Sequence, residues 1–146
     1  MRLPIPTGVQ SRTAMRRMTR PSVLFLVFGL AGCGSGEPLK VTTIQLGRSV
    51  NADSTVAAFT TRFSPRDTVY VSVVTAGAGS ATIGVRWTYY GHVVDEPKRK
   101  VSYQDVAATE FHLKTAAALP PGDYSVEAFL DGQPAGTRPF QVTKQD

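Results

Sequence analysis

One cysteine, Cys33, stands in the whole chain of 146 residues. That scarcity excludes an internal disulfide and a zinc centre built on several cysteine ligands. Histidine is nearly as rare. His92 and His112 lie twenty residues apart, at no spacing that would gather a metal-ligand set. No serine sits in a Gly-x-Ser-x-Gly elbow. Gly77-Ala78-Gly79 lacks the full glycine pattern and the following helix that a phosphate loop requires. The carboxylates Asp95, Glu96, Asp123, Glu127 and Asp131 show no acid–base spacing, and Asp123 and Asp131 each adjoin a glycine and read as turn residues. No apolar run reaches the roughly 20 residues that a membrane-spanning helix needs. The chain is therefore expected to be noncatalytic, with no metal and no cofactor.

Acidic residues are missing altogether from the segment before Cys33, which instead carries Arg2, Arg12, Arg16, Arg17 and Arg20. A nearly unbroken apolar stretch from Ser22 to Ala31 follows, and Ala31 and Gly32 provide the small residues of a cleavage site. This order of positive, apolar and small is that of a secretory signal, with an apolar part of about 7–15 residues. Met15 and Met18 both directly precede the apolar run, so the true start can lie at either, and Arg16-Arg17 reads as n-region charge. Leu30-Ala31-Gly32-Cys33 resembles a bacterial lipobox. The resemblance implies a lipoprotein signal peptide over 1–32 and lipidation of Cys33 with palmitate-type chains. It also implies anchoring to a bacterial membrane outside the cytoplasm, since two acyl chains hold where one does not. With Gly34 rather than aspartate after the cysteine, the outer membrane is favoured in a bacterium that has two. Residues 33–38, ending Gly34-Ser35-Gly36-Glu37-Pro38, form the lipidated cysteine and a flexible tether.

The net charge of +5 suggests a nucleic-acid partner until the chain is divided. Five of the sixteen basic residues leave with the signal, so eleven face eleven acidic ones in residues 33–146. A neutral domain has no net charge with which to neutralise phosphates, and nucleic acid is excluded as a nonspecific partner. Lys98-Arg99-Lys100, after Asp95-Glu96, reads as a solvated loop.

Residues 39–146 are enough for one ordinary core and too few for two. Apolar period two recurs throughout. Val69, Val71 and Val73 alternate with Tyr70, Ser72 and Val74, and Ile83, Val85, Trp87 and Tyr89 alternate with Thr82, Gly84, Arg86 and Thr88. Phe111 and Leu113 alternate with Glu110 and His112, and Tyr124, Val126, Ala128 and Leu130 with Ser125, Glu127 and Phe129. Such alternation means half-buried strands. Strands are expected at 39–46, 56–63, 68–75, 81–90, 99–104, 109–114 and 123–130, with an edge strand at 138–143. Asp131-Gly132 is expected to make a tight hairpin, and Thr115 to Ala118 allows one helical turn stopped by Pro120-Pro121. Seven or eight short strands separated by turns are the pattern of an all-β antiparallel sandwich. Trp87 on a long strand and Tyr124 just after Pro120-Pro121-Gly122-Asp123 resemble the core tryptophan and the tyrosine corner of immunoglobulin-like and fibronectin type III-like domains. The resemblance implies that fold over 39–146 and is silent on function.

Tyr89, Tyr90, His92 and Tyr103 are the candidate binding residues, expected to cluster around the loop at Gly91, because aromatic side chains anchor interfaces. The expected role is a protein-binding or assembly module with an envelope protein partner, attached to the membrane through lipid on Cys33. The alternative is a carbohydrate- or cell-wall-binding module that stacks the Tyr89–His92 loop on a glycan.

Overall fold

The computed structural model describes residues 36–144, with Pro4 and Gly8 as isolated positions outside them. Apart from those two positions, the expected signal peptide over 1–32 lies outside the described residues, as does Cys33. Nine strands run through the described part: β1 (Lys40–Gly47), β2 (Arg62–Phe63), β3 (Val69–Ala76), β4 (Gly79–Tyr89), β5 (His92–Asp95), β6 (Lys98–Tyr103), β7 (Ala107–Leu113), β8 (Gly122–Leu130) and β9 (Gln133–Val142). They form two sheets, one in the order β1-β3-β7 and the other β2-β9-β8-β4-β5, with β6 also against β4. Because β8 occupies one side of β4, β5 and β6 lie end to end along the other, β5 against Trp87–Tyr89 and β6 against Gly79–Gly84. All pairings are antiparallel except β2 with β9.

The alternating residues meet between the sheets. Val69, Val71 and Val73 of β3 and Ile83, Val85 and Trp87 of β4 are fully buried, as are Val126 and Ala128 of β8. Ile44, Leu46, Phe63, Phe111, Leu113, Leu119, Phe140 and Val142 complete one continuous core. Burial of this apolar surface is what holds a cysteine-poor domain together.

Several boundaries differ from expectation for identifiable reasons. The 56–63 segment is a strand only at Arg62–Phe63. Upstream it makes two isolated bridges, Phe59 to Gly47 at the end of β1 and Val56 to Val50 in the loop that follows β1. Ser54, just before it, meets the outer side of β3, where the Ser72 hydroxyl donates to the Ser54 carbonyl and Ser72 is fully buried. β9 starts at Gln133 rather than 138, because the Asp131-Gly132 turn returns directly into pairing with β8. Pro134, Gly136 and Pro139 hide that strand in the sequence. Lys98-Arg99-Lys100 is not a loop but the start of β6. Thr115–Ala118 is a bend, with the Thr115 hydroxyl donating to the Ala117 carbonyl at 2.8 Å. The expected hairpin at Asp131-Gly132 is present, with φ values of 49° and 80° at its two turn residues.

Candidate binding site at the tyrosine pole

β4 ends at Tyr89, and two residues later β5 begins at His92, so Tyr90-Gly91 is the whole turn. Both turn residues have positive φ, 46° at Tyr90 and 80° at Gly91. A two-residue hairpin with φ positive at both positions is the form whose twist suits adjoining strands, and its first position favours Asn, Asp or Gly. The opposite end of the sandwich obeys that preference with Asp131-Gly132. At this end an aromatic residue takes the place, in a conformation that costs a bulky L-residue roughly 1–2 kcal/mol.

The Tyr90 ring is 61% exposed yet is not loose. It stands edge-on to Tyr89, with centroids 4.7 Å apart, and Tyr89 lies 4.6 Å from Tyr124. Tyr124 stacks on Phe140 at 5.2 Å, and Phe140 meets Trp87 and Phe63 edge-on at 5.9 and 5.5 Å. A ladder of aromatic rings thus runs from the buried Trp87 to the exposed Tyr90. Edge-to-face and offset contacts at such distances are each worth about 0.5–1.5 kcal/mol beyond area burial. The phenols are tied to the neighbouring loop. The Tyr89 hydroxyl donates to the Pro121 carbonyl at 2.9 Å, and the Tyr124 hydroxyl to the Pro120 carbonyl at 2.7 Å. The second bond is the tyrosine corner anticipated from Pro120-Pro121-Gly122-Asp123. The Tyr90 amide donates to the Asp123 carbonyl at 3.0 Å, which fastens the hairpin tip to β8.

Burial pushes the Tyr124 phenol up to about 12, and negative charge on Tyr89 and Tyr90 would add to the rise. The neutral phenol is therefore the form that folding favours. Its contribution to stability is complete below the ordinary value of 10.0 and is lost as pH climbs through about 12. A tyrosinate absorbance titration should show one phenol ionising near 12, and the Tyr124→Phe protein should lack that step. The same substitution should lower stability by about 1–2 kcal/mol in urea unfolding, because the Pro120 carbonyl loses its donor.

Of the four expected site residues, Tyr89, Tyr90 and His92 come together at this pole. His92 is exposed on β5, paired with Tyr89 across the hairpin. Tyr103 does not join them. It pairs with Gly79 at the other end of β4, ten residues or about 33 Å from Tyr89 at roughly 3.3 Å per residue. Its hydroxyl is 2.8 Å from that of Thr109, a structural bond within the sandwich. His112 is likewise engaged, with Nδ1 2.8 Å from Glu110. The residues not anticipated at the pole are Gly122, Val93 and Val94. The two valines are 55% and 49% exposed on the edge strand β5. Consecutive Val93-Val94 after a two-residue turn was the available signal, but it has no period of two. Among the described residues no group of three or more His, Cys, Asp or Glu could hold a metal ion, and no helix is long and apolar enough to cross a membrane.

No protein-family model matches the sequence, and no curated protein matches it. Solved structures do share its shape. An immunoglobulin-like protein from Pseudomonas aeruginosa superposes over its full length on 75% of this chain, at a TM-score of 0.50 and 10% identity. The fold is an immunoglobulin-like β-sandwich. A β-glucosidase from Erythrobacter marinus contains a similar sandwich, with a TM-score of 0.52 at 13% identity over 73% of this chain. An alkylpurine DNA glycosylase from Pseudomonas fluorescens matches 71% of this chain at 11% identity and a TM-score of 0.49. The chain spans only 15% of the glucosidase and 30% of the glycosylase. At these identities the likeness is one of immunoglobulin-like architecture alone.

Proposed function

We propose that this chain is a noncatalytic envelope lipoprotein, anchored through Cys33, that binds a protein partner with the Tyr89–Tyr90–His92 hairpin. One observation carries the binding role. Tyr90 occupies a strained turn position where a small residue would be favoured, and its ring is held exposed on a tyrosine ladder. Strain maintained by surrounding packing is a mark of functional positions. A rigid aromatic anchor binds at low entropic cost, because little freedom remains to be lost. Val93 and Val94 extend the apolar contact along an edge strand whose outer side pairs with no other strand among the described residues. The second reading, a glycan stacked on the hairpin, is favoured by the same exposed ring.

Tyr90→Gly separates fold from function. It removes one ring contact and relieves the strained turn, so stability should change by less than about 1 kcal/mol. Partner capture by the lipidated protein in envelope extracts should fall at least about 10-fold, since aromatic anchors at interface centres are commonly worth 2 kcal/mol or more. Undiminished capture by the Tyr90→Gly protein would sink the hairpin reading. Retention on isolated wall polymer with no protein present would select the glycan reading. For the anchor, Cys33→Ser should give unprocessed precursor or released protein in membrane fractionation, and unchanged fractionation with normal processing refutes lipidation.

A further inference from the structure

The outer face of the larger sheet carries a second site, far from the tyrosine pole. Gly84 lies in the middle of one row across three strands, paired with Lys98 of β6 on one side and Phe129 of β8 on the other. Having no side chain, Gly84 leaves a hollow of about 410 Å³ between them, within the range of small-molecule sites. A Cβ at Gly84 would come within 3.1 Å of the Lys98 stem, so even one methyl group begins to fill it. Thr82, Asp131 and Gly132 close one end. Arg86 and Glu96 close the other, and Arg86 is pinned there. Its guanidinium lies 4.8 Å from the Phe129 ring centre, and its Nε and one terminal nitrogen donate to Glu96 at 3.0 and 2.8 Å. Its other terminal nitrogen is 3.7 Å from Glu127.

The rim holds two cations, Arg86 and Lys98, against two carboxylates, Glu96 and Asp131. A simple anion would meet the carboxylates and a simple cation the basic groups. A neutral ligand rich in hydroxyls finds charged donors and acceptors on every side, and charge-assisted hydrogen bonds are the stronger kind. Arg86 stands over the Phe129 ring, so the bare Gly84 backbone is the floor that suits an apolar ligand face. Asp131 accepts from the Thr82 amide through Oδ1 alone, at 2.8 Å, and Lys98 and Thr82 line the hollow beside it. We infer that the Gly84 hollow is a saccharide-binding site, taking a neutral pyranose with one face over Gly84. The site is separate from the hairpin and does not depend on the role proposed for it.

The test is saturation-transfer NMR and calorimetry on the full-length protein, with oligomers of glucose and of N-acetylglucosamine as probes and glycine as a zwitterionic control. Binding of at least one saccharide and no binding of glycine are expected. Gly84→Val should abolish binding while far-UV dichroism is unchanged, because a β-branched residue suits the strand and the nearest obstacle is the flexible Lys98 side chain. Asp131→Asn keeps the turn and the bond to Thr82 and should weaken binding about 10-fold. Tyr90→Gly should leave it intact. Failure of every saccharide probe, preference for glycine, or saccharide binding that survives Gly84→Val overturns the assignment. Loss of binding in Tyr90→Gly instead moves the glycan to the hairpin and equally overturns it.

Discussion

Replacing Trp87 by alanine should destabilise the domain by about 3–5 kcal/mol, whereas Trp87→Phe should cost less than half as much. Trp87 is fully buried, meets Phe140 edge-on and pairs with Val126 on β8, so alanine leaves a cavity at the joint of the two sheets. Phenylalanine keeps most of the ring volume. It also removes a liability, because the buried indole N–H meets no acceptor among the described residues. A buried donor without a partner costs roughly 1–3 kcal/mol, and losing it offsets part of the smaller cavity. Urea unfolding followed by circular dichroism measures both variants, since replacing the only tryptophan removes the usual fluorescence signal. Against a typical total of about 5–15 kcal/mol, the alanine protein should be marginal at best. Equal losses for the two variants would mean that the indole N–H is satisfied, and the aromatic ladder would then rest on a polar bond as well as on packing.

The sandwich was legible wherever one strand face is buried and the other is wet. β4, β7 and β8 have that character, β3 has it except at the covered Ser72, and their period of two placed Trp87 and Tyr124 correctly in the core. The signal failed where burial does not alternate. All four residues of β5 are exposed, so His92–Asp95 shows no pattern, and the first seven residues of β9 are exposed and interrupted by prolines and glycine. The 56–63 segment misled for the opposite reason, since Ala57, Ala58 and Phe59 are exposed and Val56 and Phe59 make only isolated bridges, to Val50 and Gly47, instead of extending a ladder. At the pole, sequence proximity gathered Tyr89, Tyr90 and His92, which a two-residue turn must keep together. Proximity said nothing about β6, which folds back along β4 and carries Tyr103 to the far end. The Gly84 hollow was hidden altogether, because its rim comes from three strands, from Glu96 between β5 and β6, and from the β8–β9 turn, which only the register brings into line.

Gly122 links the fold to the hairpin, and Gly122→Ala should show it. At φ 145° the residue has a backbone that L side chains rarely adopt, at a cost of about 1–3 kcal/mol. An added Cβ would also lie 2.6 and 2.7 Å from Cε2 and the hydroxyl of Tyr90 and 2.9 Å from Cε2 of Tyr89. Tyr89 is held by Pro121 and Tyr124, so the exposed Tyr90 ring is the one that must leave. The expected loss is about 2–4 kcal/mol in urea unfolding, the sum of backbone strain and a broken ring contact. Partner capture should fall with it, as in Tyr90→Gly, although Gly122 itself is on another strand. The double variant separates the two causes. In the Tyr90→Gly background two of the three close contacts vanish, so Gly122→Ala should cost about 1–2 kcal/mol less than it does alone. Strict additivity would mean that Tyr90 yields freely and is not seated against Gly122. The rigid anchor on which the binding role depends would then be absent.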